Sequence, residues 1–199
     1  MRPPPAPTLR SRRREATRHQ VYEAALVVFR RDGVAGARIE DIARAAGVSR
    51  GTFYFHFPTK DDVLAERLLI SERKLVALLA ELPPTTHLAT VLERLATAMA
   101  AEWQADPKIF AEVGLVSVRR SAAGPGDHAA HPVRAALAEQ FQRAVARGQL
   151  SDALPGAVLC DIFLTNLFAA ALAWSAAPLL PLRTVLEKVV ALFLHGVAG

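Results

Sequence analysis

Hydrophobic positions recur at helical spacing through most of this chain, and the punctuation between them divides it into successive helices. The clearest case is residues 39–57. Ile39, Ile42, Ala43 and Ala46 fall at i, i+3, i+4 and i+7, the spacing of a helix with one buried face. Gly47 tolerates the positive φ at which such a helix stops. Val48 anchors the turn, and Ser49 is a favoured N-cap for a second helix in which Phe53 and Phe57, four apart, face the same core. Two short helices meeting at a tight turn make a helix-turn-helix.

The same reading extends in both directions. Val21, Ala25, Val28 and Phe29 form a stripe over residues 15–32, which Gly33 closes. Thr59 and Asp62 have capping-box spacing and open a helix that runs to about Leu82, where Pro83-Pro84 end it. At ~1.5 Å per residue that helix spans ~33 Å, enough to link two domains. Further helices are predicted over 87–104, from Pro107 through Val118, over 132–147 (Val133, Leu137, Phe141 and Val145 inward), and over 155–174 and 182–195, with a Gly124–Asp127 break between the second and third of these. The fold class is all-α.

Residues 162–182 carry no charge and are long enough to span a bilayer. They contain Asn166, Pro178 and Pro181 and follow Asp161 directly, so a membrane span is the poorer account. The better one is a pair of helices whose surplus apolar surface, including Phe163, Leu167, Trp174, Leu186 and Phe193, is buried against a second copy as an isologous four-helix interface.

The 199 residues are 52% hydrophobic, which suits two small domains. The single Cys160 excludes an intramolecular disulfide, and the Pro-rich start has no apolar signal region, so a cytoplasmic protein is expected. Charge changes the picture most. Residues 1–60 hold 12 Lys/Arg against 5 Asp/Glu, whereas residues 61–199 hold 12 against 14. The whole basic excess therefore accompanies the helix-turn-helix, as a phosphate-binding surface requires. Arg10, Arg12, Arg13 and Arg14 read as a flexible cationic arm that can reach a minor groove, with residues 1–13 expected to be disordered.

With Phe53 and Phe57 inward, a 100° step per residue turns Gly51, Thr52 and Phe55 outward, with Arg50 and Tyr54 on the flanks. Gly51 permits close approach to a nucleic-acid backbone. Arg50 can reach guanine N7 and O6, and Thr52 a base edge or phosphate. Tyr54 and His56 can donate to phosphate oxygens, and the Phe55 ring can lie on a thymine methyl or a sugar.

Residues 17–64, from Thr17-Arg18 through Asp41-Ile42-Ala43, Ala46-Gly47-Val48-Ser49-Arg50-Gly51-Thr52-Phe53-Tyr54-Phe55-His56-Phe57 and Lys60-Asp61 to Leu64, resemble the DNA-binding domain of the TetR family of bacterial transcriptional regulators. The resemblance implies a DNA-binding domain over 14–74, with its motif at about 38–57, and a helical ligand-binding and dimerisation domain over 75–199. It implies DNA contacts from Arg38, Ser49, Arg50, Gly51, Thr52, Tyr54, Phe55, His56 and Lys60. The chain departs from the family pattern at Ala37-Arg38, where a Thr or Ser N-cap is usual, and at Phe55, where a ring with a hydroxyl is common.

The implied partners are a double-stranded operator, a second copy of the chain and a small-molecule effector, with no membrane and no cofactor. Trp103, Phe110 and Phe141, with Asn166 as a polar member, are candidate pocket residues, since bundle interiors suit apolar ligands. No His-Glu-x-x-His, Cys pair, nucleophile elbow or Gly-rich phosphate loop is present, so no enzyme is expected. His128 and His131 stand three apart but lack the further ligands of a metal site. The expected function is an operator-binding regulator, a repressor in the simplest form, released by a largely apolar ligand. The alternative is an architectural, nucleoid-associated DNA binder without a ligand.

Overall fold

The computed structural model describes residues 8–122 and 132–197. The described residues form helices without strands, in two compact units, Met1–Leu64 and Ala65–Gly199. The first unit holds α1 (Leu9–Gly36), α2 (Ile39–Ala45) and α3 (Arg50–His56). Helix α4 (Lys60–Ala80) begins there and continues into the second, which also contains α5 (Leu88–Ala105), α6 (Pro107–Ala122), α7 (Pro132–Ala146), α8 (Gly156–Ala176) and α9 (Leu182–Val197).

Helix α1 starts earlier than its hydrophobic stripe. The Thr8 hydroxyl accepts a hydrogen bond from the Ser11 amide at 3.2 Å, and Arg10, Arg12, Arg13 and Arg14 occupy the turns that follow. The expectation of a flexible arm is corrected for residues 9–13: arginine is a good helix former, and a capped start lets the helix run on ahead of any buried position. Residues 1–7 lie outside the described residues, as do the Gly124–Asp127 break and the His128/His131 pair. Gly33 does interrupt the helix, at φ 72° and ψ 159°.

In the second unit the buried faces of α5, α7, α8 and α9 form the core. Phe141, Phe163 and Phe193 pack ring against ring at 5.2–5.9 Å between centroids. Cys160 is fully buried, and burial, with Asp161 beside it, pushes its thiol up to about 12. It therefore carries negligible thiolate at neutral pH, consistent with a core role.

Three of the five residues assigned to a subunit interface, Phe163, Leu167 and Leu186, are corrected here. Phe163, Leu167 and Leu186 are completely buried within the protomer, and Phe193 completes the aromatic cluster. Trp174 donates its indole N–H to the Leu180 carbonyl at 2.7 Å, tying the end of α8 to the link that follows. The large apolar side chains that α8 and α9 leave exposed are Val158, Ile162 and Leu192. Helix α8 is apolar all round, so periodicity alone could not separate its inner face from its outer one. It is also the one described helix long and apolar enough to cross a membrane, at mean hydropathy 1.8, but its inner positions are occupied by this core.

Close approach sets one sequence requirement. A Cβ on Gly156 would lie 2.7 Å from the Gln142 nitrogen and 2.9 Å from its Cα, so the first turn of α8 sits directly on the backbone of α7. Gly156→Ala is expected to cost about 1–3 kcal/mol through overpacking, read as a lower midpoint in denaturant unfolding; an unchanged midpoint would mean that α7 and α8 are not held this closely.

Candidate nucleic-acid interface and ligand cavity

The helix-turn-helix is built as its punctuation requires. Gly47 has φ 61°. The Gln20 side chain of α1 donates to the Ala46 carbonyl at 2.8 Å, pinning the turn to the scaffold helix. Ser49 caps α3 by accepting the Thr52 amide at 3.1 Å, and its hydroxyl also meets the Thr52 hydroxyl at 2.9 Å. Phe53 and Phe57 are fully buried, together with Ile42. Arg38 stands at the N-cap of α2 with no side-chain cap hydrogen bond, leaving its exposed guanidinium uncommitted to the helix end.

Burial inside fixes what points out. Gly51 is exposed, Thr52 half-buried, Tyr54 41% exposed and Phe55 64% exposed. Arg50 pairs with Glu40 of α2 at 2.9 Å and lies over the Tyr54 ring at 5.6 Å. The hydrogen bond that the Arg50 guanidinium donates to Tyr54, with the Glu40 charge, raises its already high pKa. Arg14 of α1 lies over the Phe55 ring at 5.0 Å. A groove of about 580 Å³ runs beside the recognition helix, lined by Arg10, Arg13 and Arg14 of α1 and by Thr52, Phe55 and His56 of α3. The helical basic turns thus flank the outward face of α3, and the cationic surface is continuous across both elements.

Two residues expected on that surface have other tasks. His56 is only 7% exposed, with its ring edge-on to Phe55, and its backbone carbonyl accepts from Arg18 at 2.5 Å. It sits three residues after Phe53, close enough in angle to share the buried face. Lys60 directs its ammonium at the carbonyls of Val34, Ala35 and Ala37, at 2.6, 3.3 and 3.1 Å. All three of its protons are committed to the segment joining α1 to α2. Lys60 is therefore a clamp on that loop rather than a free phosphate ligand. The capping box beside it is formed: the Thr59 amide donates to the Asp62 carboxylate at 2.9 Å, and the Asp62 amide to the Thr59 hydroxyl at 3.2 Å.

The second unit contains a cavity of about 620 Å³. Its walls are mainly apolar, and Trp103 and Phe110 line it as expected, their rings stacked at 5.4 Å with Phe168 edge-on to Trp103. Phe141 and Asn166 do not line it. Phe141 belongs to the aromatic core cluster, and the Asn166 amide, exposed on α8, donates to the Ile162 carbonyl at 2.7 Å. The polar lining was not foreseen. It includes Arg134 and Asp161, joined as a bidentate pair at 2.6 and 2.7 Å between α7 and α8, and Ser71, Glu72 and Glu102 from α4 and α5. No spacing signals these residues, because the partners are 27 or more positions apart in sequence. Among the described residues no cluster of His, Cys, Asp or Glu is arranged to hold a metal ion.

Two solution measurements follow. Burial, followed by the charges of Arg18 and Arg14, lowers the His56 pKa below its ordinary value. The folded state therefore favours neutral imidazole, so the His56 contribution is complete above about pH 6.5 and is lost as pH falls through the folded pKa. Melting temperature is expected to fall between pH 7 and pH 5, and less steeply in His56→Gln; parallel profiles would exclude His56 as the cause. Lys60→Met is expected to cost about 2 kcal/mol of unfolding free energy, from charged hydrogen bonds lost at the loop carbonyls. A loss of DNA affinity without any loss of stability would instead make Lys60 a phosphate ligand.

Comparison with known proteins agrees with this geometry. A family model described as bacterial regulatory proteins, tetR family, matches residues 21–66. The transcriptional regulator AcrR of Shigella flexneri is 40% identical over 58 residues, covering 29% of this chain and 27% of that protein. The regulator SrpR of Pseudomonas putida is 50% identical over 50 residues, 25% of this chain and 24% of its own. The chain thus aligns with about a quarter of the length of these curated relatives. Over nearly the whole chain it is similar in structure to FadR of Thermus thermophilus, a TetR-family repressor, with a TM-score of 0.70, 27% identity and coverage of 90% and 94% of the two chains. It shares the fold of SmeT of Stenotrophomonas maltophilia at a TM-score of 0.62 and 19% identity, covering 94% and 92%. With the helix-turn-helix, its outward face and the helical second unit all in place, residues 21–66 match the TetR family of bacterial regulatory proteins, and the chain as a whole shares the fold of TetR-family regulators.

Proposed function

We propose that this protein is a homodimeric, sequence-specific repressor that leaves an inverted-repeat operator when a small, largely apolar ligand enters the second unit. The observation that carries the reading is the outward face of α3, where Arg50, Thr52, Tyr54 and Phe55 are presented on a helix whose other face is fully buried. In this reading the first unit is the DNA-binding domain and the second the ligand-binding and dimerisation domain. Arg50 reads a guanine edge, Thr52 and Tyr54 bond base or phosphate, Phe55 packs on a methyl or sugar, and Arg38 and the arginines of early α1 hold the phosphates. Gly51 and Ser49 let the helix end sit close to the backbone.

Two copies place two recognition helices in successive major grooves about 34–36 Å apart. The exposed Val158 and Ile162 of α8 and Leu192 of α9 supply apolar surface for the joining of those copies. The largely apolar cavity supports an apolar effector. The Thermus FadR structure, described as a complex with lauroyl-CoA, and a SmeT–triclosan complex are consistent with that class. To release an operator the effector must bind the two conformations with different affinity, and about 1–3 kcal/mol of coupling per site is sufficient to matter.

Selection of bound duplexes from a random pool at near-physiological salt is expected to recover an inverted repeat. Salt-sensitive binding with no enriched motif would favour an architectural DNA binder, and no binding at all would refute both readings. On the recovered site, Arg50→Ala is expected to relax specificity at one base step, at a cost of about 1–3 kcal/mol. A uniform loss over every sequence would mean that Arg50 contacts phosphate alone.

A further inference from the structure

Helix α4 is attached to its own unit in an unusual way. Other helix pairs in this unit, such as α7 with α8 and α5 with α9, approach within 8 Å between Cα atoms; among the described residues α4 approaches none of them that closely. Leu75 and Leu79 of α4 are buried, and polar side chains of α4 reach across as well. Three of them converge on one carboxylate of α5: Arg67 donates to Glu102 Oε2 at 3.1 Å, Ser71 to the same oxygen at 2.9 Å, and Lys74 to Oε1 at 2.7 Å. Burial pushes the Glu102 carboxyl up, but the hydrogen bonds from Lys74, Ser71 and Arg67 together outweigh it and hold the group below the usual carboxylate range. Glu102 is charged at neutral pH and binds α4 as an anion.

Arg67 is placed so that each group holding it belongs to the cavity wall. Its guanidinium donates to Ser71 at 2.8 Å and to Glu102, and lies over the Phe110 ring at 4.5 Å. Ser71, Glu102 and Phe110 all line the cavity, whereas Arg67, 12% exposed, stands behind them. A molecule in the cavity that shifts Phe110, or competes for Glu102 or Ser71, loosens the hold on this guanidinium. A guanidinium displaced from these partners must find a new one or move toward water. Arg67 stands on α4, the helix whose first residues belong to the first unit, so a change in what holds Arg67 changes what holds α4.

We infer that Glu102 and the three α4 side chains it binds form the latch through which occupancy of the cavity is passed to α4, with the latched arrangement being the one competent for operator binding. The inference rests on the proposed reading of the protein as an effector-released repressor. Glu102 and Arg67 act here as positioning residues, with no contact to DNA. Loss of the latch therefore lowers affinity for the operator while leaving the weaker, sequence-independent attraction of the basic unit for DNA unchanged.

The test uses the full chain and the operator recovered by selection. Glu102→Gln is expected to weaken operator binding at least tenfold, with affinity for a scrambled duplex unchanged. Lys74→Met, at an exposed lysine whose removal the fold tolerates, is expected to act in the same direction to a smaller extent. Glu187→Gln on α9, which breaks an exposed Arg183–Glu187 pair, serves as the control. Occupancy is imposed without a natural effector by alkylating Ser117→Cys, at the cavity wall, with N-cyclohexylmaleimide; buried Cys160 does not compete for the reagent. Alkylation is expected to weaken operator binding at least tenfold, and to add nothing when Glu102→Gln is already present. Operator affinity within twofold of the parent in both folded latch variants, or an equal effect of alkylation with and without Glu102, would overturn the inference. A parent protein that selects no operator would overturn the proposed function itself.

Discussion

The recognition helix is too short to stand alone, and what makes it useful comes from what it is buried against. Seven residues cannot hold a helix in water, because nucleation costs more than so few hydrogen bonds return. Helix α3 persists because Phe53 and Phe57 are fully buried, because Ser49 satisfies an orphan amide, and because Gln20 fixes the turn before it. The same burial decides which side chains face outward. Core packing and DNA reading are thus one constraint: the angular position of two phenylalanines sets that of Arg50, Thr52, Tyr54 and Phe55.

Charge is organised around the same constraint at two ranges. At long range, the excess of Lys and Arg lies entirely in residues 1–60. At short range, several cations are spent inside the fold. Lys60 binds three loop carbonyls, and Arg18 donates to the His56 carbonyl and lies over the Phe57 ring at 4.1 Å. Those that remain directed outward, Arg10, Arg13, Arg14 and Arg38, border the α3 face. In the second unit the arrangement is inverted. Charges there are paired with one another around an apolar cavity, and the pairs Arg67–Glu102 and Arg134–Asp161 bridge different helices.

Much of this was legible in the sequence where the signal was local. Gly47, Ser49, the Thr59/Asp62 box and the Phe53/Phe57 spacing each act over four residues or fewer, and each is seen in the structure as it was read. Legibility failed where the deciding partner was distant. Lys60 looked like a free cation because the carbonyls it binds are more than 20 residues away, and His56 looked accessible because Arg18 and α1 are not its sequence neighbours. On α8 the failure was of another kind. A helix apolar on every side has no periodic signal to distinguish the face that packs on Phe141 from the face carrying Val158 and Ile162. Two of four pocket residues were found because stacked aromatics are recognisable by type; Glu102 was missed because nothing near it in sequence marks a carboxylate that three side chains of another helix will bind.

The central claim is that two copies of this chain read one DNA site together. The most direct test compares affinity for a complete inverted repeat with affinity for a single half-site in a duplex of the same length and salt. Joined recognition helices predict binding to the full site about a hundredfold tighter or more, with two chains per duplex, since the second contact is made at high effective concentration. Equal affinities, or one chain per duplex on both, would contradict the account.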